Sequence, residues 1–135
     1  MANSAAVNAY SKVQGGIAAE VATPQRMVQL LFSALMKDLH QARGFMERKQ
    51  RSEKAQCIDK ALDIIITLNS SIDMQAGGEM SANLRALYQY SMQGLIQANA
   101  QDDSDKLEEV IRLMGDIKSA WDAITDGSGA PDEKS

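Results

Sequence analysis

Apolar residues recur at helical spacing along four stretches of the chain, and each stretch predicts one amphipathic helix. A spacing of three or four residues places the apolar side chains on one face of a helix. In chain order the stripes are Met27, Val28, Leu31, Ala34, Leu35, Leu39, Ala42 and Met46; Ile58, Ala61, Leu62, Ile65, Leu68 and Ile72; Leu84, Leu87, Tyr88, Leu95 and Ile96; and Leu107, Val110, Ile111, Met114, Ile117, Trp121 and Ile124.

Local signals at the ends of these stretches support four separate helices. Thr23-Pro24 combines a capping side chain with a proline suited to the first helical position. Ser52 and Ser81 are candidate caps for the second and third helices, and the aspartates within 102–105 complement the dipole at the start of the fourth. The connections are short, so we predict an all-α fold: an antiparallel up-down-up-down four-helix bundle.

The two ends of the chain differ in composition from its middle. Residues 1–20 are mostly small and polar, and we expect a flexible segment that is loosely docked at most. The bundle is predicted over residues 21–125. Residues 126–135 have the glycine, proline and charge of a disordered tail.

The first two helices carry more apolar residues than one stripe needs. Some of these apolar residues lie outside the single stripe of their helix: Leu30 and Phe32 in the first helix, and Cys57, Ile64 and Ile66 in the second. Either closer packing and the N-terminal segment bury this surplus, or it meets a fifth element, a second copy of the chain or a partner.

Composition and charge exclude several classes of function. The net charge is −4 and the pI about 4.9, which gives no basic surface for nucleic acid or anionic membrane. No apolar run approaches the roughly 20 residues that span a bilayer, and no secretory signal is recognisable. A single cysteine suits a reducing compartment, so we expect a cytoplasmic protein.

Residues that could support catalysis or bind a metal are few. His40 has no nucleophile or orienting carboxylate at a recognisable spacing, and Cys57 fits a small buried apolar residue. The Glu-x-x-His pairs of metal-binding bundles are absent, and the acidic residues of 102–109 lack the spacing of a calcium loop. We predict that the protein is not an enzyme and has no metal or cofactor.

Gly77-Gly78 is the remaining candidate for a ligand-binding loop. A phosphate loop would follow a strand and carry a lysine or a third glycine at set spacing. Here a helical stripe precedes the pair and Glu79 follows it. We therefore predict that the glycines end the second helix.

An ordered set of short motifs resembles the flagellar secretion chaperone FliS family. The signature is Asn69-Ser70-Ser71-Ile72-Asp73-Met74, Gly77-Gly78-Glu79, Asn83-Leu84 and Leu87-Tyr88. Further matches in order are Ala9-Tyr10, Val21-Ala22-Thr23-Pro24, Leu30-Leu31-Phe32, Lys60-Ala61, Ile64-Ile65, Leu68, Leu95, Ala98-Asn99, Glu109-Val110-Ile111, Leu113 and Ala120-Trp121.

The resemblance implies a cytoplasmic export chaperone without enzymatic activity. Such a protein binds the disordered C-terminal segment of flagellin, prevents premature polymerisation and delivers flagellin to the flagellar type III secretion apparatus. Its N-terminal segment acts as a movable cap over the groove. Other implied partners are a component of the flagellar export gate or an anti-sigma factor. In the alternative hypothesis the protein is a regulatory adaptor that binds an anti-sigma factor or another flagellar regulator through the same groove.

We predict the partner-binding residues from the apolar pattern of the helices and from their positions in the motifs of the family. Tyr10 would anchor the cap, although incidental packing is the alternative. Asn69 and Asn83 would bond the backbone of an extended partner, or else cap a helix or form inter-helix hydrogen bonds near the Gly77-Gly78 turn. Some of the apolar groove residues must instead belong to the core; the set is Leu31, Leu35, Leu62, Ile65, Ile66, Leu84, Leu87, Tyr88 and Leu95.

Overall fold

The computed structural model describes residues 23–126, and these form four α-helices without a strand. The helices are α1 (Pro24–Glu47), α2 (Arg51–Ser70), α3 (Gly78–Gln101) and α4 (Ser104–Thr125), with a 3₁₀ turn at Ile72–Met74 between α2 and α3. The predicted all-α fold is confirmed. The segment 1–20 with Tyr10, and the tail after residue 126, lie outside the described residues.

Each helix packs against two neighbours: α1 and α3 each contact both α2 and α4. An ion pair and a hydrogen bond each join the start of one helix to the end of a helix packed beside it. Arg43 near the end of α1 pairs with Glu108 near the start of α4 at 2.8 Å, and Lys54 near the start of α2 donates to the Asn99 carbonyl near the end of α3 at 2.9 Å. Neighbouring helices are therefore antiparallel, as predicted.

The core is made from the predicted stripes of all four helices. Its largest fully buried side chains are Tyr88, Phe32, Leu31, Leu35, Leu39, Ile58, Ile65, Leu68, Leu95, Leu107, Met114 and Val28.

 Leu95 and Tyr88 anchor α3 in this core, and Leu107 and Met114 anchor α4. Packing of these four faces against one another is the main source of stability, because burying apolar area contributes roughly 25 cal/mol per Å².

Two of the predicted helix starts are confirmed and two are wrong. Thr23 caps α1 by accepting a bond from the Arg26 N–H at 3.0 Å, and Asp103 caps α4 through the Lys106 N–H, also at 3.0 Å. Ser52 does not cap α2, which begins at Arg51 without a side-chain cap. Ser81 lies inside α3, where its hydroxyl donates to the Ala76 carbonyl.

The predicted role of the glycine pair is also wrong. The second helix ends at Ser70, and Gly77 is instead the residue that precedes α3. Gly78 has a φ of +58°, which favours glycine, but it opens α3. The end of α2 is held by Gln75, whose Nε2 donates to the Leu68 carbonyl at 2.7 Å. A side-chain amide thus satisfies the helix end, and the glycines are not needed for it.

Most of the surplus apolar surface of α1 and α2 is buried. Leu30, Phe32, Cys57 and Ile64 are buried, whereas Ile66 is 49% exposed. The predicted stripes of α3 and α4 each include a residue that the core does not bury, because Ile96 is 58% and Ile124 is 68% exposed.

Candidate functional site

The exposed apolar residues are concentrated on one part of the bundle. Within residues 23–126, none of the large apolar side chains that are more than a third exposed lies on α1. They belong to α2, α3, α4 and the turn between α2 and α3: Ile66, Met74, Met80, Tyr90, Ile96 and Ile124. We therefore place the candidate site around α3, the helix between α2 and α4.

One flank of α3 faces α2. A Cβ built on Gly94 would lie 3.0 Å from a valine of α4, so Gly94 marks the opposite, α4 flank. Ile96, two residues later, is about 200° further round the helix and lies on the α2 side. On α2, Cys57 contacts a glutamine of α1, and Ile66, nine residues later, lies half a turn away from it. The apolar residues along this α2–α3 seam are Leu62, Ile66, Met92 and Ile96.

The other flank of α3 forms a second seam with α4. A Cβ on Gly115 would lie 3.6 Å from Met36 of α1, so residues two positions away, such as Ile117, lie on the α3 side of α4. Three residues of this seam are half-buried, and Met80 and Ile124 are exposed. The α3–α4 seam consists of Met80, Leu87, Leu113, Ile117 and Ile124.

The outer face of α3 between the two seams carries no charge over more than four turns. From Ala86 to Gln101 every residue is neutral, whereas α4 has charged side chains along its whole length. Charged residues are depleted at the centre of protein interfaces because their desolvation is costly. An uncharged helix face with an apolar seam on each side can accept amphipathic helices of another chain.

A charged cluster closes the α3–α4 seam towards the far end of α3. The Tyr90 hydroxyl donates to Glu109 Oε2 at 2.6 Å, and Lys106 Nζ donates to Glu109 Oε1 at 2.9 Å and to the Tyr90 hydroxyl at 3.1 Å. These bonds raise the pKa of Lys106, chiefly through Glu109, and lower the pKa of Glu109, chiefly through Tyr90. All three groups are held in place across the seam, although each is partly exposed.

A polar cavity of about 510 Å³ lies at the end of the bundle where α1 meets α2 and α3 meets α4. Lys54, which is only 3% exposed, bonds Asp102 and the Asn99 carbonyl there. Arg51 lies 3.3 Å from the same carboxylate. The hydrogen bond from Lys54 and the nearby positive charges lower the pKa of Asp102. Lys54 and Arg51 thus both pair with Asp102 and join the two turns.

The predicted apolar groove residues divide between the core and the seams. Leu62, Ile66 and Leu87 lie on the seams, and Leu84 is half-buried beside them. The others are almost fully buried, with at most 1% of their surface exposed: Leu31, Leu35, Ile65, Tyr88 and Leu95. A substitution of Ile65 by Asp would place a charge in the core, so Ile66 is the better position at which to test binding.

The two predicted asparagines lie on the two helices that flank the α2–α3 seam. Asn83 is exposed on α3, and Asn69 is half-buried near the end of α2. Asn69 Oδ1 is buried without a hydrogen-bond partner among the described residues. The inter-helix bond considered as an alternative role for this residue is therefore not made by that oxygen.

Comparison with known proteins identifies the family of this chain. The model of the family described as "Flagellar protein FliS" matches residues 6–128. The flagellar secretion chaperone FliSB of Pseudomonas aeruginosa is 40% identical over 120 residues, which cover 89% of this chain and 95% of the relative. This chain belongs to the FliS family.

Two further relatives are similar over most of their length. The flagellar secretion chaperones FliS of Vibrio cholerae and Salmonella typhimurium are 36% and 33% identical over 118 and 126 residues. These alignments cover 87% of both chains for the first and 93% of both chains for the second. The resemblance predicted from the short motifs is confirmed.

Two structural findings bear on other classes of function for this FliS chain. None of its described helices is long and apolar enough to cross a membrane. Among residues 23–126, no group of three or more His, Cys, Asp or Glu side chains is arranged to hold a metal ion.

Sequence reasoning missed part of the seams of this FliS chain. Met80 and Met92 were not named, and Leu113 was named only as a match to the family. Ile96, Ile117 and Ile124 were assigned to the apolar stripes of the helices. The absence of charge from Ala86 to Gln101 is the signal that could have found this face, because an exposed helix face is ordinarily charged.

Proposed function

We propose that this FliS chain is a cytoplasmic export chaperone for flagellin. It binds the C-terminal segment of flagellin, keeps subunits from polymerising early and delivers them to the flagellar type III secretion apparatus. The names of the relatives support an export chaperone, and the observation that carries the binding proposal is the uncharged outer face of α3 with an apolar seam on each side.

The seams suit a client that folds as it binds. Along α4 the α3–α4 seam runs from Leu113 to Ile124, about three helical turns, which is room for a short amphipathic helix that is marginal in water by itself. Its apolar face would cover the half-buried residues of a seam, and its polar face would remain in solvent. Because the client orders on binding, part of the gross interaction energy is lost to its conformational entropy. A client helix in each seam spreads this cost over a larger contact area.

Occupancy of α3 accounts for chaperone action without catalysis. A bound client segment is unavailable for packing between flagellin subunits, so binding alone prevents polymerisation. Release at the export apparatus then needs only competition for the same segment. Neither step requires a nucleotide, a metal or a covalent intermediate.

Calorimetric titration of the full chain with a flagellin C-terminal segment tests this function. We expect one-to-one binding with a clearly negative heat-capacity change, because apolar area on both seams is buried. The matched control is a segment of flagellin from outside the C-terminal region, and its titration should give no heat of binding. Absence of binding by the complete segment, with no shift in the melting temperature, would contradict the proposal.

A further inference from the structure

The amide oxygen of Asn69 is a buried acceptor without a hydrogen-bond partner beside an otherwise apolar seam. Three buried side-chain oxygens lack a hydrogen-bond partner in the part of the chain that the structure describes: Asn69 Oδ1, Ser91 Oγ and Thr125 Oγ1. Ser91 lies in the core and Thr125 is the last residue of α4. Asn69 differs from both because it lies three residues after Ile66 and seven after Leu62, in line with the α2–α3 seam.

An unpaired buried carbonyl oxygen destabilises the free protein, since it has lost water without gaining a donor. An apolar side chain at this position would avoid that loss. The carbonyl would regain a bond if the bound partner supplied a donor. The side chain is only half-buried, and its terminal torsion has a broad preference, so a modest rotation can turn the oxygen towards the seam.

We propose that Asn69 accepts a hydrogen bond from a backbone N–H of the bound client, a step that rests on the flagellin-binding function proposed above. Within a helix the backbone N–H groups already bond the carbonyls four residues earlier. Free N–H groups occur only in the first turn of a helix or in extended chain. The client helix in the α2–α3 seam therefore begins, or is interrupted, opposite Asn69.

This assignment gives the seam two kinds of recognition. Leu62 and Ile66 select apolar side chains on a client helix, whereas Asn69 binds the main chain and is indifferent to the side chain there. Asn69 thus fixes the register of the client along α2. Sliding the client by a full helical turn would place a bonded helical N–H against the carbonyl.

The first test compares three forms of the full chain by calorimetric titration with the flagellin C-terminal segment. Asn69→Leu removes the unpaired oxygen and should bind about three- to tenfold more weakly, the effect of one hydrogen bond. Its melting temperature should equal or exceed that of the wild type. Ser91→Ala removes an unpaired oxygen from the core, and we expect a higher melting temperature with unchanged affinity. Asn69→Ala provides the same comparison if the leucine variant is poorly folded.

A second test locates the donor in the client. In a series of segments, single backbone amides are replaced by esters, which removes one N–H at a time. One ester should weaken binding to the wild type and have little additional effect on Asn69→Leu. Equal affinity of the wild type and Asn69→Leu, or the same ester penalty in both, would overturn the role of Asn69. Failure of the wild type to bind the unmodified segment would instead overturn the proposed function itself.

Discussion

Tyr88 joins α3 to the turn that follows α2. Its side chain is fully buried, and its hydroxyl donates to Gln75 Oε1. The Nε2 of the same glutamine donates to the Leu68 and Ser71 carbonyls. The Tyr88 hydroxyl therefore orients the Gln75 amide, which in turn donates hydrogen bonds to carbonyls at the end of α2. Burial also raises the pKa of Tyr88, because a buried phenolate loses its hydration.

Tyr88→Phe should lower the free energy of unfolding by about 1–2 kcal/mol at pH 7, since Gln75 Oε1 loses its donor. The effect of pH follows from the raised pKa. The folded pKa lies above the unfolded value of about 10, so the contribution of Tyr88 is complete below pH ~10 and is lost as the pH rises above it. Urea unfolding at pH 7 and pH ~10.5 should show a smaller loss of stability in Tyr88→Phe than in the wild type.

Tyr90→Phe is the matched control for this experiment, because Tyr90 is 41% exposed on the same helix. Burial and the charge of Asp38 also raise the pKa of Cys57, but that thiol is common to all three proteins and does not affect the comparison. An equal loss of stability at high pH in Tyr88→Phe and in the wild type would show that Tyr88 is not the buried titrating group.

At the scale of the helices, two glycines make opposite contributions to packing. A Cβ on Gly94 of α3 would lie 3.0 Å from Val110 Cγ2 and 3.3 Å from Lys106 Cδ of α4, closer than side chains ordinarily pack. A Cβ on Gly115 of α4 would lie 3.6 Å from Met36 Cε, an ordinary contact. Gly94 therefore allows α3 and α4 to approach, whereas Gly115 is not required by its surroundings.

The same substitution should consequently have different effects at the two glycines. Gly115→Ala should raise the free energy of unfolding by about 0.5–1 kcal/mol, because alanine favours a helix over glycine. Gly94→Ala should gain nothing or lose stability, since the close contacts offset that preference. Chemical denaturation of both variants measures the difference. A gain at Gly94 equal to that at Gly115 would contradict the close approach of α3 and α4.

Gln29 joins the start of α1 to the end of α4. It is 7% exposed, and its Nε2 donates to Asp122 Oδ1 at 3.0 Å and to Asp126 Oδ1 at 2.9 Å. Arg26 Nη1 donates to its Oε1 at 2.8 Å. Hydrogen bonds to charged groups contribute more than those between neutral groups.

Gln29→Leu should therefore lower the free energy of unfolding by about 1–3 kcal/mol. Gln56→Leu makes the same change at an exposed position of α2 and should have an effect below about 0.5 kcal/mol. Thermal and urea unfolding of the two variants provide the comparison. Equal free energies of unfolding for Gln29→Leu and Gln56→Leu would show that the hydrogen bonds of Gln29 make no net contribution to stability.

At the scale of the whole molecule, helical periodicity predicted the bundle well. The stripes of α1 and α2 identified most of the core because their apolar residues recur at the spacing of one buried face. The end of α2 was missed because its carbonyls bond Gln75, a contact between a side chain and backbone several residues away. Such local bonds leave no periodic signal.

The candidate site was harder to predict than the fold. A stripe of apolar residues does not show which of its edges remains exposed, and that depends on how the neighbouring helices pack. Ile65 and Ile66 illustrate the problem: they are adjacent and identical in chemistry, yet one is fully buried and the other is 49% exposed. The family signature indicated the region but could not separate the two roles.

The proposed function requires a client to bind the uncharged face of α3 and its apolar seams. Calorimetric titration of Ile96→Asp with the flagellin C-terminal segment tests it most directly, because Ile96 is 58% exposed and contributes little to the core. The control is Ser33→Asp, which adds the same charge at an exposed position of α1. We expect Ile96→Asp to bind at least about tenfold more weakly with an unchanged melting temperature, and Ser33→Asp to bind like the wild type. Equal affinities in the two variants would contradict the claim.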